Sequence, residues 1–392
     1  MHAAHIVQGF FNRHLGEMHA ARRAVLAAVV IAAMSGQCVS LTRLGRAILG
    51  EGRLKSAIKR VDRLISHPRI EYEAQLTGQK LLGQLCSIQV PLIIAVDWSA
   101  VGPGGKFVEL RAAVTRLGMG RAVTIYQRVY KLSELGKPKH ERLLLDTLHA
   151  WIDARIEVIV VSDAGFRRPW FEHVHKLGWS WIGRIRQGVS VSRDAKLWRS
   201  AGQWFEHATS KAQRWSACYL TKKAAWACDM VLYRARRRAR KLYRCPGHGS
   251  SSKAAKEARA SAREPWLLAH SPKLSKYRAD EIVAMYAQRM QIEESFRDTK
   301  SAVYGMGLEI GRSRSQLRLH ALLLIAAIAA FLLWHIGQLA EAEGLHRRFK
   351  ATTRATRELS LITLAILLCS RQYIPLTPPG QLVLEKRLGI HA

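Results

Sequence analysis

Residues 91–187 constrain the fold more than any other part of the chain. Pro91-Leu-Ile-Ile-Ala-Val-Asp-Trp98 is an apolar run of strand length that closes on an acid. Gly102-Pro-Gly-Gly105 supplies a reversal, and Lys106–Leu117 and Arg121–Tyr130 read as two more strands, parted by Gly118-Met-Gly120. A helix over about 139–153 follows. Glu157-Val-Ile-Val-Val-Ser-Asp163 is a second apolar strand that closes on an acid, and a helix over 168–177 and a strand over 180–186 complete the stretch. Three hairpin-linked strands, then helix, strand, helix, strand, specify a mixed sheet with helices packed on it, an α/β fold. Reacting groups collect at the carboxyl ends of such strands. Asp97 and Asp163 are therefore the first candidate site residues. A pair of carboxylates there needs a cation nearby, and a metal ion is the simplest one.

A second informative stretch is Tyr286-Ala-Gln-Arg-Met-Gln-Ile-Glu-Glu-Ser-Phe-Arg-Asp-Thr-Lys300. It lacks Gly and Pro, is rich in helix formers, and follows Asp280 and Glu281, whose charge suits a helix N-terminus. One continuous helix would place Tyr286, Glu293 and Lys300 on one face with Arg289 beside them. The alternative is a solvated helix laced by i,i+4 ion pairs.

Charge narrows the partner. Among 392 residues, Lys and Arg number 62 and Asp and Glu 29, a net charge of +33 spread along the whole sequence. So large a surplus calls for a polyanion, with nucleic acid first. The six cysteines are scattered, which suits reduced thiols in a cytoplasm rather than a disulfide scaffold. Cys245-Pro-Gly-His248, with Cys218 and Cys228 upstream, has no second close pair to complete a zinc site. The apolar runs Ala24–Met34 and Ala321–Trp334 read as buried helices, so neither export nor a membrane span is expected.

The flanks have their own character. Residues 1–90 look helical and form a candidate DNA-binding domain. Leu41–Leu49 follows Ser40 as N-cap with Gly50 as stop, and Ser56–Ile65 has an apolar face of Ile58, Val61, Leu64 and Ile65. Lys59, Arg60 and Arg63 point elsewhere. Two short helices with a basic second member fit a helix-turn-helix reader, and they also fit a plain helical hairpin. Residues 188–262 break the α/β rhythm as a basic, β-rich insertion carrying Arg234–Lys241, which suits phosphate contacts. Glu264–His270 returns to strand character. The core is expected over 91–335, and 336–392 reads as a helical C-terminal region, a candidate for dimerisation.

The order strand-Asp, strand-Asp, basic insertion, helix-Glu resembles a ribonuclease-H-like nuclease core. Residues 286–300 spell Tyr-x2-Arg-x3-Glu-x6-Lys, and the chain thereby resembles the insertion-sequence-4 family of cut-and-paste bacterial transposases. The words Val96-Asp-Trp-Ser99, Val161-Ser-Asp-Ala-Gly-Phe166, Glu264-Pro-Trp-Leu-Leu-Ala269 and Arg289-Met-Gln-Ile-Glu-Glu294 are similar too, as is the segment 41–65. The resemblance implies Asp97, Asp163 and Glu293 as a metal-binding catalytic triad for Mg2+, with Mn2+ as substitute. It implies Tyr286, Arg289 and Lys300 as contacts to transposon-end DNA and Trp266 as a platform for a flipped base. It also implies double-stranded DNA partners (the element's ends and target DNA), a homodimer in the synaptic complex, and residence in the bacterial cytoplasm at the nucleoid. A catalytically silent repressor of the element is the competing expectation. An RNA–DNA hybrid nuclease suits the basic insertion and the N-terminal reader less well.

Overall fold

A computed structural model describes residues 3–370 except 37, 49, 51, 117–118, 224, 236–263, 303–304 and 355–356. The basic run beyond Ala235, Cys245 and the C-terminal prolines lie outside the described residues. The chain divides into two compact units, one of residues 1–158 with 289–392 and one of residues 159–288.

The first unit opens with five helices, α1 (Ala3–His14), α2 (Ala20–Gly36), α3 (Leu41–Ala47), α4 (Leu54–Ile65) and α5 (Ile70–Leu85). Ala57, Val61, Leu64 and Ile65 are buried on α4, while Lys55, Lys59, Arg60 and Arg63 are exposed. The α3–α4 crossing is tight. A Cβ at Gly45 would lie 2.7 Å from Ile58 Cγ1, so only glycine lets the helices close to this distance. Ser40 precedes α3 but makes no side-chain cap, and it accepts a 3.7 Å hydrogen bond from Cys38 Sγ instead.

The strands β1 (Leu92–Val101), β2 (Phe107–Thr115) and β3 (Val123–Lys131) form an antiparallel meander. β1 runs four residues past Asp97, pairing Trp98 with Leu110 and Val101 with Phe107. The expectation that Asp97 ends its strand is therefore corrected. The Gly-Pro reversal lies beyond Val101, and the ladder persists until the turn interrupts it. After α6 (Pro138–Trp151), the chain returns to this unit with α10 (Met290–Lys300), α11 (Gln316–Ala342) and α12 (Leu361–Ser370); α9 (Ala279–Ala287) belongs to the second unit.

Helix α11 is the backbone of this unit's core. It is 27 residues long, and 83% of its most apolar window is buried against protein. By length and composition alone it could span a bilayer, and it exceeds the apolar run read from sequence because polar residues at both ends join the helix. Its neighbours are β3, α2, α4, α5 and α12. Arg318 on α11 ties down α4 through Asp62 at 2.6 Å and Ser66 at 3.0 Å.

The second unit contains a mixed sheet. β4 (Val158–Ser162) pairs in parallel with β5 (Ser180–Arg184), with α7 (Arg168–Lys176) as the connecting helix. β10 (Trp266–His270) then pairs antiparallel with β5 and with β9 (Trp226–Tyr233). β8 (Gln213–Leu220), β6 (Ser190–Ser192) and β7 (Trp198–Ser200) continue the antiparallel order. Every residue of β4 is buried, which accounts for its unbroken apolar sequence. Cys218 and Cys228 are register partners across β8 and β9, both buried as free thiols. The molecule is thus mixed α/β, with a large mixed sheet and flanking helices.

Candidate active site

Three successive residues on one face of β1, Ala95, Asp97 and Ser99, each meet α10 or its leading residue, as the period of two in a strand allows. Ala95 and its register partner Ala113 offer a shallow surface, and Ile292 and Phe296 of α10 bury against them together with Ala122. Small residues on the sheet let the helix approach closely, and its apolar face fixes its rotation.

That seating brings Arg289, the residue leading into α10, over Asp97. Its Nη1 donates to Asp97 Oδ2 at 3.2 Å and its Nη2 to Glu293 Oε1 at 2.5 Å. Asp97 Oδ1 accepts the backbone N–H of Trp98 at 2.8 Å. The Asp97 side chain retains 15% of its exposure and that of Glu293 retains 43%, so the carboxylates open toward solvent on one side. Two carboxylates from separate elements converge on one cation. At the end of α10, Lys300 Nζ donates to Ser99 Oγ at 2.6 Å. Burial pulls this ammonium below its ordinary pKa, while the Glu109 carboxylate works in the opposite direction.

Two ion pairs beside these residues, one buried and one half-buried, escaped the sequence reading. Arg111, the register partner of Asp97, bonds Glu109 at 2.6 Å, and both are buried. Arg121 bonds Asp298 at 2.5 Å; burial raises the Asp298 pKa and the guanidinium opposes it. The signal for the first was present, since Glu and Arg stand two apart within the apolar strand Phe107–Thr115, hence on one face. Lys55 also extends the α4 basic stripe at i,i+4 from Lys59 and was missed.

In the second unit, Asp163 follows β4 immediately, as expected. Its Oδ1 accepts the Gly165 backbone N–H at 2.8 Å, which closes a turn just past the strand. Trp266 opens β10 opposite Tyr233, and its half-buried indole meets Tyr286 edge-on at 5.0 Å. Tyr286 is 3% exposed. The single helix expected over 286–300 is two, because α9 stops at Ala287 and α10 starts at Met290. At the break, Gln288 N–H is shared between the carbonyls of Ala284 and Met285. The turn coincides with the boundary between the units, so Tyr286 belongs to one and Arg289, Glu293 and Lys300 to the other.

The donor chemistry fits a hard divalent cation, since carboxylate oxygens are the ligands such ions select. Asp97 and Glu293 already share a positively charged partner. Among the described residues, no group of three His, Cys, Asp or Glu side chains gathers at metal-binding spacing.

Comparison with known proteins bears on this geometry. The family model described as "Transposase DDE domain" matches residues 129–332. That span includes Asp163, Trp266, Tyr286, Arg289, Glu293 and Lys300 and stops short of Asp97. A piggyBac transposase synaptic complex with hairpin DNA, solved by cryo-electron microscopy, is similar to this chain at 11% identity and a TM-score of 0.42. The likeness covers 95% of this chain and 76% of that one. No curated protein matches the sequence significantly.

Proposed function

The chain belongs to the transposase DDE-domain family, and from that premise we propose that it is an active DNA transposase of the insertion-sequence-4 type. In this reading it binds the terminal inverted repeats of its element, cuts them by a nick, hairpin and resolution sequence, and joins the element to target DNA. It works as a homodimer holding two ends, at the nucleoid of a bacterial cell. One observation carries the reading: Arg289 donates to Asp97 and to Glu293 at once, so two of the three proposed catalytic carboxylates share one cation-binding point.

Asp97, Glu293 and Asp163 would hold Mg2+, or Mn2+ in its place. When bound, such ions supply Lewis-acid stabilisation to an in-line phosphoryl displacement. The protein's own groups do the rest. Arg289, freed from Asp97 and Glu293 when those carboxylates take the ion, would present its fork to a phosphate, a geometry that guanidinium recognises well. Lys300, held by Ser99, adds a fixed positive charge along the same helix. The half-buried indole of Trp266 is braced by Tyr286 and Tyr233, and a base extruded from the duplex stacks on it. The exposed Lys59, Arg60 and Arg63 on α4 contact the element's ends.

Incubating the full-length protein with labelled end DNA and Mg2+ tests this reading. Nicks at the element boundary, followed by hairpins, are expected. A protein that shifts end DNA and never nicks it is the silent repressor, and the proposal then fails.

A further inference from the structure

Arg111 is a guanidinium with 2% exposure, in a strand that also buries the Glu109 carboxylate. It stands opposite Asp97 in the β1–β2 ladder. A buried charge costs several kcal/mol unless its surroundings compensate, so its contacts are informative. Nε donates to Glu109 Oε1 at 2.6 Å. Nη1 reaches Ser295 Oγ at 3.2 Å and Nη2 reaches Thr299 Oγ1 at 3.5 Å. The guanidinium carbon lies 4.3 Å from the centre of the Phe296 ring. Among the described residues, these three contacts outside the sheet fall on one helix, α10, at positions spaced about a turn apart. Glu109 is fully buried and stands opposite Ser99, the residue that takes Lys300. The Lys300 ammonium lies 5.2 Å from the centre of the same Phe296 ring.

We infer that the Glu109–Arg111 dyad positions α10 over β1, setting the register in which Glu293 meets Arg289 and Asp97 and Lys300 meets Ser99. The apolar contacts of Ile292 and Phe296 press the helix to the sheet but tolerate sliding along it, because alanine offers no ridge to stop them. A planar fork bonded to both Ser295 and Thr299 does not tolerate sliding. These are positioning residues: they sit beneath the helix and reach no solvent. The inference rests on the reading of Asp97 and Glu293 as the cation-holding carboxylates only for its functional consequence.

Two variants of the full-length chain test it. Ser295→Ala with Thr299→Val removes the acceptors on the helix. Glu109→Gln with Arg111→Met removes both buried charges together, so that neither is left unpaired. Amide hydrogen exchange of the protein alone, without metal or DNA, should accelerate about tenfold across 290–300 in both, with exchange in β1–β3 unchanged. In nicking assays the Mn2+ concentration for half-maximal rate should rise by a comparable factor while end-DNA binding stays constant. A dyad that merely stabilised the core would accelerate exchange uniformly and leave the Mn2+ dependence of the folded protein untouched, and either result overturns the inference. Wild-type exchange over 290–300 overturns it as well. Normal nicking by Asp97→Ala and Glu293→Gln would instead sink the reading of the carboxylates, leaving the exchange result to decide the positioning role by itself.

Discussion

Replacing Arg289 by alanine makes a prediction with an unusual sign. The guanidinium makes one bond to a mostly buried carboxylate, Asp97, and one to the more exposed Glu293. A hydrogen bond to a charged partner contributes about 1.5–3 kcal/mol when shielded, and an exposed ion pair less than about 1 kcal/mol. Loss of both, with two carboxylates left facing each other, should cost about 2 kcal/mol of stability. At about 2–4 °C per kcal/mol for domains of 150–250 residues, the melting temperature in EDTA should fall by roughly 4–8 °C. Adding a divalent ion reverses the order. In the wild type the ion competes with the guanidinium, whereas in Arg289→Ala it meets an open pair. If displacement costs the same 2 kcal/mol, the variant binds Mn2+ on the order of 30-fold more tightly, at 1.4 kcal/mol per factor of ten. Scanning fluorimetry at increasing Mn2+ reads this directly, and the variant's melting temperature should climb at lower Mn2+ than the wild type's. Nicking should stay low, because the phosphate contact is gone. Identical Mn2+ titrations for the two proteins would refute the shared-cation geometry.

Other parts of the molecule give independent expectations. Charge reversal at Lys59, Arg60 or Arg63 should weaken binding to the element's ends more than to random DNA in gel shifts; equal losses would make these residues phosphate contacts only. Trp266→Ala should fold, bind and make the first nick, then stall before hairpin formation, as denaturing gels of a time course would show. Loss of base stacking accounts for about 1–3 kcal/mol of that block. On α11, His320 is buried and His335 half-buried, and desolvation lowers the pKa of each to about 4. Above pH 6.5 neither the folded nor the unfolded chain protonates them, while between 6.5 and 4 only the unfolded chain does. Stability should therefore fall as pH drops through that window, by up to about 3 kcal/mol per histidine. Denaturant midpoints at pH 7.5 and 5 measure the loss, and His335→Leu should reduce it.

Much of the fold was legible because its signals are local. The apolar blocks Leu92–Val96 and Val158–Ser162 announce buried strands, the Gly-Pro and Gly-Met-Gly words announce reversals, and the period of Ile58, Val61, Leu64 and Ile65 announces a helix with a basic far side. What escaped depends on partners distant in sequence. Asp97 lies inside its strand because Phe107–Leu110 continue the ladder, which no property of Trp98–Ala100 reveals. The break at Gln288–Arg289 is invisible in a segment made of good helix formers, because a turn there is decided by what each half packs on. Nothing around Arg111 in the sequence reveals that Ser295 and Thr299, 184 and 188 residues onward, are its acceptors. The candidate site followed the same division. Asp97 and Asp163 drew attention as acids closing apolar runs and Glu293 entered through the family resemblance, while the guanidinium that joins Asp97 to Glu293 needed the structure.

The central claim is that Asp97, Asp163 and Glu293 act on DNA together. The most direct measurement is nicking of labelled end DNA, with gel shifts run on the same preparations, for Asp97→Ala, Asp163→Ala and Glu293→Ala. Each variant should bind the ends as the wild type does and cut them at least a thousandfold more slowly, on the order of the loss seen when one essential catalytic group is removed. Wild-type nicking by any one of the three would contradict the account.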